Sequence, residues 1–347
     1  MLILMLILIF SVIVIAHEWG HYIMARKCGV LVNEFAIGMG PLIWSKQVGE
    51  TQYSIRLLPI GGYCMMEQDL ECEGISKNKK AFQSKKPFQK FMILVAGAVM
   101  NFILAWVLCS IVVAYRGEVT NIINEVQPDS PAATAGLMHG DKIISVDGNE
   151  IKKLGDVTKL LENNPKIYSF TIIRNGEVLT IPVESKIIGD ETSPRFGFSA
   201  QLTHGNLVNA IVEGFNEMIN LIVLVWGGVV QLVTGKLGVN DMAGVVGIVD
   251  MGATTWNTAN EQGGLILAIM SMLNLAAVLS ANLGVMNLLP FPALDGGRII
   301  FVIIEMIQGK PVSQEKEGVV HFIGMVLLMI LMAVILYNDV MNWGGRM

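Results

Sequence analysis

Residues 1–25 read MLILMLILIFSVIVIA followed by HEWGHYIMA, an apolar run with ionisable side chains set into its far end. In lipid such a run has one option. Every backbone N–H and C=O must be paired inside the segment, and about 20 residues of helix cross the hydrocarbon. A secretory signal peptide is the other reading of an apolar start, but there is no basic stretch before the run and no Ala-x-Ala-like site after it. A retained transmembrane helix is therefore expected over 1–25. The whole chain is 53% apolar and only 15% charged, too little polar surface to clothe a soluble core of this size. The net charge of −5 gives no sign of a nucleic-acid partner.

Further apolar runs predict spanning helices over 91–115, 263–308 and 318–338, about four in all. Residues 205–260 hold another apolar stretch, 207–234, with Glu213 and Glu217 one turn apart. It reads either as a fifth span or as an amphipathic helix lying in the interface, and the interfacial reading is favoured because a fifth span would break the orientation set by the basic residues. Between the first two spans, the segment 26–90 carries Arg26, Lys27, Lys46, Arg56, Lys77, Lys79, Lys80, Lys85, Lys86 and Lys90. Basic residues near span ends predict that this segment is cytoplasmic. Arg298, Lys310 and Lys316 agree, and the stretch after Tyr115 is then extracytoplasmic. The segment 26–90 also holds a strand-like, glycine-bearing patch, Glu34–Met66, expected as a membrane-associated β-hairpin. Residues 117–200 differ in texture: short strand-like runs (NIINEV, KIISVDG, YSFTIIR, EVLTIPV) alternate with turn signals at Asp147-Gly148 and Asn175-Gly176, predicting a small α+β domain. Cys28, Cys64, Cys72 and Cys109 show no CxxC spacing and read as free thiols.

His17-Glu18-Trp19-Gly20-His21 is an HExxH motif. Residues four apart share a helix face, so both imidazoles can reach one Zn2+, and the glutamate beside them can take a proton from water. Ionisable side chains inside a spanning helix are costly, which points to function rather than packing. A catalytic zinc needs a third protein ligand and an open fourth position. His139, His204 and His321 remain as candidates without a motif. Asp295, in Asn287-Leu-Leu-Pro-Phe-Pro-Ala-Leu-Asp295-Gly-Gly-Arg298, follows an apolar run broken by prolines and glycines. On spacing alone it reads equally as a zinc ligand or as the cap of the following helix.

These motifs resemble the site-2 protease family of intramembrane metalloproteases, in its bacterial, PDZ-containing branch. HEWGH is similar to the family's metal-binding signature, and NLLPFPALDGGR to its second signature. The resemblance implies that His17, His21 and Asp295 bind Zn2+, that Glu18 is the general base, and that Asn287 helps hold the substrate backbone or the oxyanion. FAIGMGP and PIGGYCMM are similar to the family's membrane-associated hairpin, implying that Gly38 and Gly40 shape a substrate-binding strand. NEVQPDSPAATAGLMHGDKIISVDGNEI is similar to a PDZ pattern. The implied protein is a polytopic α-helical enzyme of the bacterial cell membrane with an inserted α+β PDZ-like domain outside and its active site toward the cytoplasm. Its implied partners are the bilayer and single-span membrane proteins, such as an anti-sigma factor already trimmed or a remnant signal peptide. The chain departs from the family where AGPxxN reads Ala96-Gly97-Ala98-Val-Met-Asn101, and where SGPVGI reads Ala243-Gly244-Val245-Val246-Gly247-Ile248. A transporter would instead want repeated hydropathy in its two halves, which 1–115 and 207–347 lack. A catalytically dead scaffold would be expected to have lost Glu18 or a ligand, and a soluble HExxH peptidase would not carry the motif on an apolar helix.

Overall fold

The computed structural model describes residues 2–67, 78–161, 164–187, 194–203, 205–238 and 244–343. Cys72, Lys77, His204 and Ala243 of the sequence analysis lie outside them. In chain order the elements are α1 (Leu2–Lys27), β1 (Val32–Val48), β2 (Thr51–Met66), α2 (Pro87–Arg116), β3 (Glu118–Val126), α3 (Pro131–Thr134), β4 (Lys142–Val146), β5 (Asn149–Glu150), α4 (Leu154–Leu160), β6 (Ile167–Arg174), β7 (Glu177–Glu184), β8 (Lys186–Ile187), β9 (Pro194–Arg195), β10 (Phe198–Thr203), α5 (Leu207–Val233), α6 (Val245–Leu288), α7 (Asp295–Gln308) and α8 (Gln314–Trp343). They divide into two units, Met1–Val112 with Gly214–Met347, and Val113–Glu213.

The first unit is mainly helical. Five helices among the described residues are long and apolar enough to cross a membrane: α1, α2, α5, α6 and α8. With the sheet of β1 and β2, this is the build of a multi-pass membrane protein. The stretch 263–308 holds two helices, parted at the prolines and glycines of NLLPFPALDGG. Helix α6 ends at Leu288, and α7 starts at Asp295. Pro290 and Pro292 lack the N–H groups that would continue the ladder, so the chain must leave the helix there. Helix α6 also begins well before 263 and bends at Gly263 and Gly264, the latter with φ 71°. Helix α2, lacking the family's proline at Ala98, runs unbroken past Gly97.

The helices pack through short-period stripes. Leu6, Ile9 and Ile13 of α1 meet Met272, Leu275 and Ala276 of α6, positions three or four apart on each helix. Farther along α1, Gly20 lies so close to the Ala96 carbonyl of α2 that a Cβ there would collide with it. This backbone-to-backbone approach sets α2 against the histidine-bearing turn of α1.

The sheet is more folded than a hairpin. Glu34–Ile37 pair on one side with Gly62–Met65 and on the other with Gln52–Ile55, and the latter pair again with Trp44–Gln47. Two long strands thus double back into four segments in the order 62–65, 34–37, 52–55, 44–47, the outer pairs antiparallel in register and the central pair parallel. The bends fall at Gly38, Gly40 and Gly61, whose φ values of 85°, 84° and 84° suit glycine. Glu34 ties the folded sheet together, accepting hydrogen bonds from Ser54, from Tyr63 Oη (2.7 Å) and from Arg56 Nη2 (2.7 Å). Burial works against its charge, but these three donors outweigh it and hold the carboxyl below its usual pKa.

The second unit is a sheet in the order β10-β3-β4-β6-β7 with β5 paired to β4. The four strand-like runs of the sequence fall on β3, β4, β6 and β7. Asn175 and Gly176 have φ values of 51° and 88°, the paired positive φ of a tight hairpin turn between β6 and β7. Ile123, Ile143, Val146, Tyr168, Phe170 and Ile172 are among the side chains that close its core. The buried Asp141 carboxylate is met by both Arg174 Nε and Nη2 at 2.7 Å.

Candidate metal centre

Helix α1 places His17 and His21 one turn apart, both buried, with ring planes at 86° and centroids 4.8 Å apart. Their Nε2 atoms stand 3.2 Å from each other. Asp295, the first residue of α7, brings Oδ2 to 3.1 Å from His17 Nε2 and 3.2 Å from His21 Nε2. Among the described residues this is the one cluster of at least three potential metal-ligating side chains. Tetrahedral zinc, with ligand distances of about 2.0–2.1 Å, sets neighbouring ligand atoms roughly 3.3 Å apart. The separations found here fit that requirement, as does a donor set of two imidazoles and one carboxylate.

The remaining ring atoms are also placed for an ion. His21 Nδ1 lies 2.8 Å from the carbonyl oxygen of Ile93, an acceptor only, so its proton sits on Nδ1 and Nε2 keeps its lone pair. His17 Nδ1 lies 3.3 Å from the side-chain amide of Asn101, which is completely buried and whose Oδ1 has no partner. A half-turn of the amide exchanges its oxygen and nitrogen. With Oδ1 toward His17 it accepts the Nδ1 proton and leaves Nε2 free to ligate. Ser280 of α6 anchors Asn101 in turn, donating to its backbone oxygen at 2.8 Å. Asn101 entered the sequence analysis only as the asparagine of the segment compared with AGPxxN, without a role, and its partner was invisible there.

Glycines make the room. A Cβ on Gly97 would come within 2.7 Å of His17 Cε1 and collide with His21 Nε2. Behind Asp295, Gly296 and Gly297 press against the carbonyls of Leu289 and Phe291, letting α7 start directly on the preceding loop.

Glu18 projects from the same turn and its Oε2 accepts the backbone N–H of Cys64 at 3.0 Å. That N–H belongs to the Gly62–Met66 segment at the margin of the sheet. Gly38 and Gly40 lie elsewhere, at the bend of β1. Gly38 faces the Leu58 carbonyl, and the Gly40 oxygen accepts from Arg56 Nη1 at 2.9 Å. Asn287 is half-buried in the last turn of α6 and is not one of the three clustered side chains. Of the other histidines, His139 bonds the Asn124 carbonyl in the second unit, and His321 accepts the Ala293 N–H at 2.9 Å. Neither joins the cluster. Among the described residues, Cys28, Cys64 and Cys109 form no disulfide.

A profile of peptidase family M50 matches residues 5–331. The chain is 31% identical to the protein named regulator of sigma-W protease RasP of Bacillus subtilis, over 96% of this chain and 97% of the relative. It is 34% identical to a putative zinc metalloprotease of Clostridium acetobutylicum, over 96% of each. A putative zinc metalloprotease of Clostridium perfringens matches at 35% over 98% of each. With the profile covering nearly all of its length and its two motifs converging on one cluster, the chain belongs to peptidase family M50, the site-2 protease family.

Proposed function

We propose that this enzyme cuts peptide bonds inside transmembrane segments of single-span membrane proteins. Membership of the family makes the chain a zinc metalloprotease, with Zn2+ as its cofactor. The observation that carries the intramembrane reading is the convergence of Asp295 with His17 and His21, on a helix apolar but for Ser11 from Leu2 to Ala16. When bound, the ion supplies Lewis acidity, polarising the scissile carbonyl and lowering the pKa of water toward about 7. Glu18 takes the proton of the attacking water and returns it to the leaving amine. The Asn287 amide, near the end of α6, meets the developing oxyanion or the substrate backbone.

A helical substrate hides its peptide bonds in its own hydrogen bonds and must unwind to be cut. The folded sheet supports a site for the unwound stretch, with Gly38 and Gly40 shaping its bend. The segment Gly62–Cys64, beside Glu18, is the edge to which an extended chain adds as a strand. An apolar cleft of about 260 Å3, lined by Ile15, Trp19, Phe35, Trp44 and Tyr53 among others, lies against the same turn of α1 and suits an aliphatic side chain of the substrate.

The second unit acts, on this reading, as an extracytoplasmic PDZ-like domain that excludes substrates with bulky outer portions. The basic residues of 26–90 favour a cytoplasmic position for that segment and for the active site beside it, in a bacterial cell membrane. The naming of the Bacillus relative after sigma-W favours a trimmed anti-sigma factor as substrate, with a remnant signal peptide as the other class. Cleavage of a tagged single-span substrate tests the whole reading. Wild type cuts it within the span; Glu18→Gln does not, yet retains zinc, while Asp295→Ala loses zinc. Equal cleavage by Glu18→Gln and wild type would remove Glu18 from its role.

A further inference from the structure

His321 was one of three histidines that the sequence left as possible zinc ligands, and its position gives it a different task. The loop Leu289–Leu294 must carry the chain from the end of α6 to Asp295 within six residues. Its own bonds are few: Phe291 N–H to Leu289 O at 2.7 Å and Leu294 N–H to Phe291 O at 3.2 Å. Pro290 and Pro292 contribute no donors. Ala293 then adopts φ 76°, a conformation that a residue with a Cβ rarely holds unless its surroundings enforce it.

The enforcing contacts come from α8. The Ala293 N–H donates to His321 Nδ1 at 2.9 Å. As an acceptor at Nδ1, the neutral ring carries its proton on Nε2, which points into the protein with Glu317 Oε1, one turn earlier, 3.7 Å away. The Phe301 ring of α7 lies 5.7 Å from the imidazole, centre to centre. Nearly one turn later, Gly324 is packed so tightly on Pro292 that a Cβ would come within 2.6 Å of the proline's carbonyl oxygen. Positions 317, 321 and 324 share one face of α8, and 321 and 324 grip the loop directly.

We propose that His321 is a positioning residue for the metal centre: by holding Ala293 in its left-handed conformation it fixes where Asp295, two residues on, presents Oδ2 to the two imidazoles. The proposal rests on the zinc-centre reading given above. It assigns His321 no contact with ion or substrate. Its effect is read in metal affinity before any turnover.

The experiment measures zinc affinity by chelator competition on the purified full-length protein in detergent. His321→Ala is expected to bind zinc about ten- to a hundredfold more weakly, the range typical when an outer partner of a metal ligand is lost. His321→Asn, whose amide oxygen takes the place of Nδ1, keeps wild-type affinity. Glycine holds a positive φ unaided, so Ala293→Gly added to His321→Ala restores most of the loss. That rescue is one a merely packing role for His321 would not show. Should His321→Ala fail to fold, His321→Gln carries the same comparison, because its amide matches Nε2 and misses the Ala293 N–H. Wild-type affinity in the variant lacking the Nδ1 acceptor overturns the proposal, and so does a double variant as weak as its parent. Asp295→Ala is run beside them. If it too binds zinc as wild type does, the zinc-centre reading itself fails, a result distinct from the failure of His321.

Discussion

At the scale of single residues, the metal centre depends on what is missing as much as on what is present. Gly97 stands where any Cβ would strike the rings of His17 and His21. Gly97→Ala is therefore expected to abolish stoichiometric zinc binding while leaving α2 helical, which metal analysis and circular dichroism on the same sample would check. Asn101 offers a finer test. Asn101→Ala, which removes the acceptor without adding bulk to a fully buried position, should weaken zinc binding by about tenfold or more. Asn101→Asp keeps an acceptor for the His17 Nδ1 proton and should bind zinc as wild type does. If the aspartate variant is the weaker of the two, the amide faces His17 with its nitrogen instead. The HExxH residues were legible in the sequence because a four-residue spacing has one meaning on a helix. Spacing alone left Asp295 open between ligand and cap, and only the resemblance gave it to zinc, because its role depends on a meeting of residues 274 positions apart.

At the scale of elements, long apolar runs translated directly into helices, since lipid leaves the backbone no other solution. What the runs could not reveal was where they stop acting as one piece. The prolines that end α6 are visible in the sequence, but the restart at Asp295 depends on Gly296 and Gly297 fitting under carbonyls of the loop. The doubled-back sheet was read as a hairpin because its register is set by bends at Gly38, Gly40 and Gly61, which local alternation does not encode. In the second unit the strands were legible and the ion pair beneath them was not. Asp141 is 1% exposed and its charge is answered by Arg174. Removing one partner of such a pair leaves a buried charge and costs about 3 kcal/mol or more. Arg174→Met is accordingly expected to make residues 113–213 of the full chain markedly more sensitive to limited proteolysis. An unchanged cleavage rate would mean that Asp141 finds another partner.

At the scale of the whole molecule, a peptidase built mainly of apolar helices works where water and unwound chain are both scarce. Chelation followed by dialysis should remove activity, and added Zn2+ should restore it without refolding. The imidazoles are held in place by Ile93 and Asn101, and Asp295 by its loop, all independent of the ion. Activity that survives complete loss of metal would contradict the assigned chemistry. The bond from Cys64 to Glu18 has a further consequence. One N–H cannot serve two acceptors well, so a strand arriving at the Gly62–Cys64 margin competes with Glu18 for the same hydrogen. On the mechanism proposed above, Glu18 would be tethered while that margin is empty and released as it fills, which would tie readiness to cut to the presence of a chain already pulled straight.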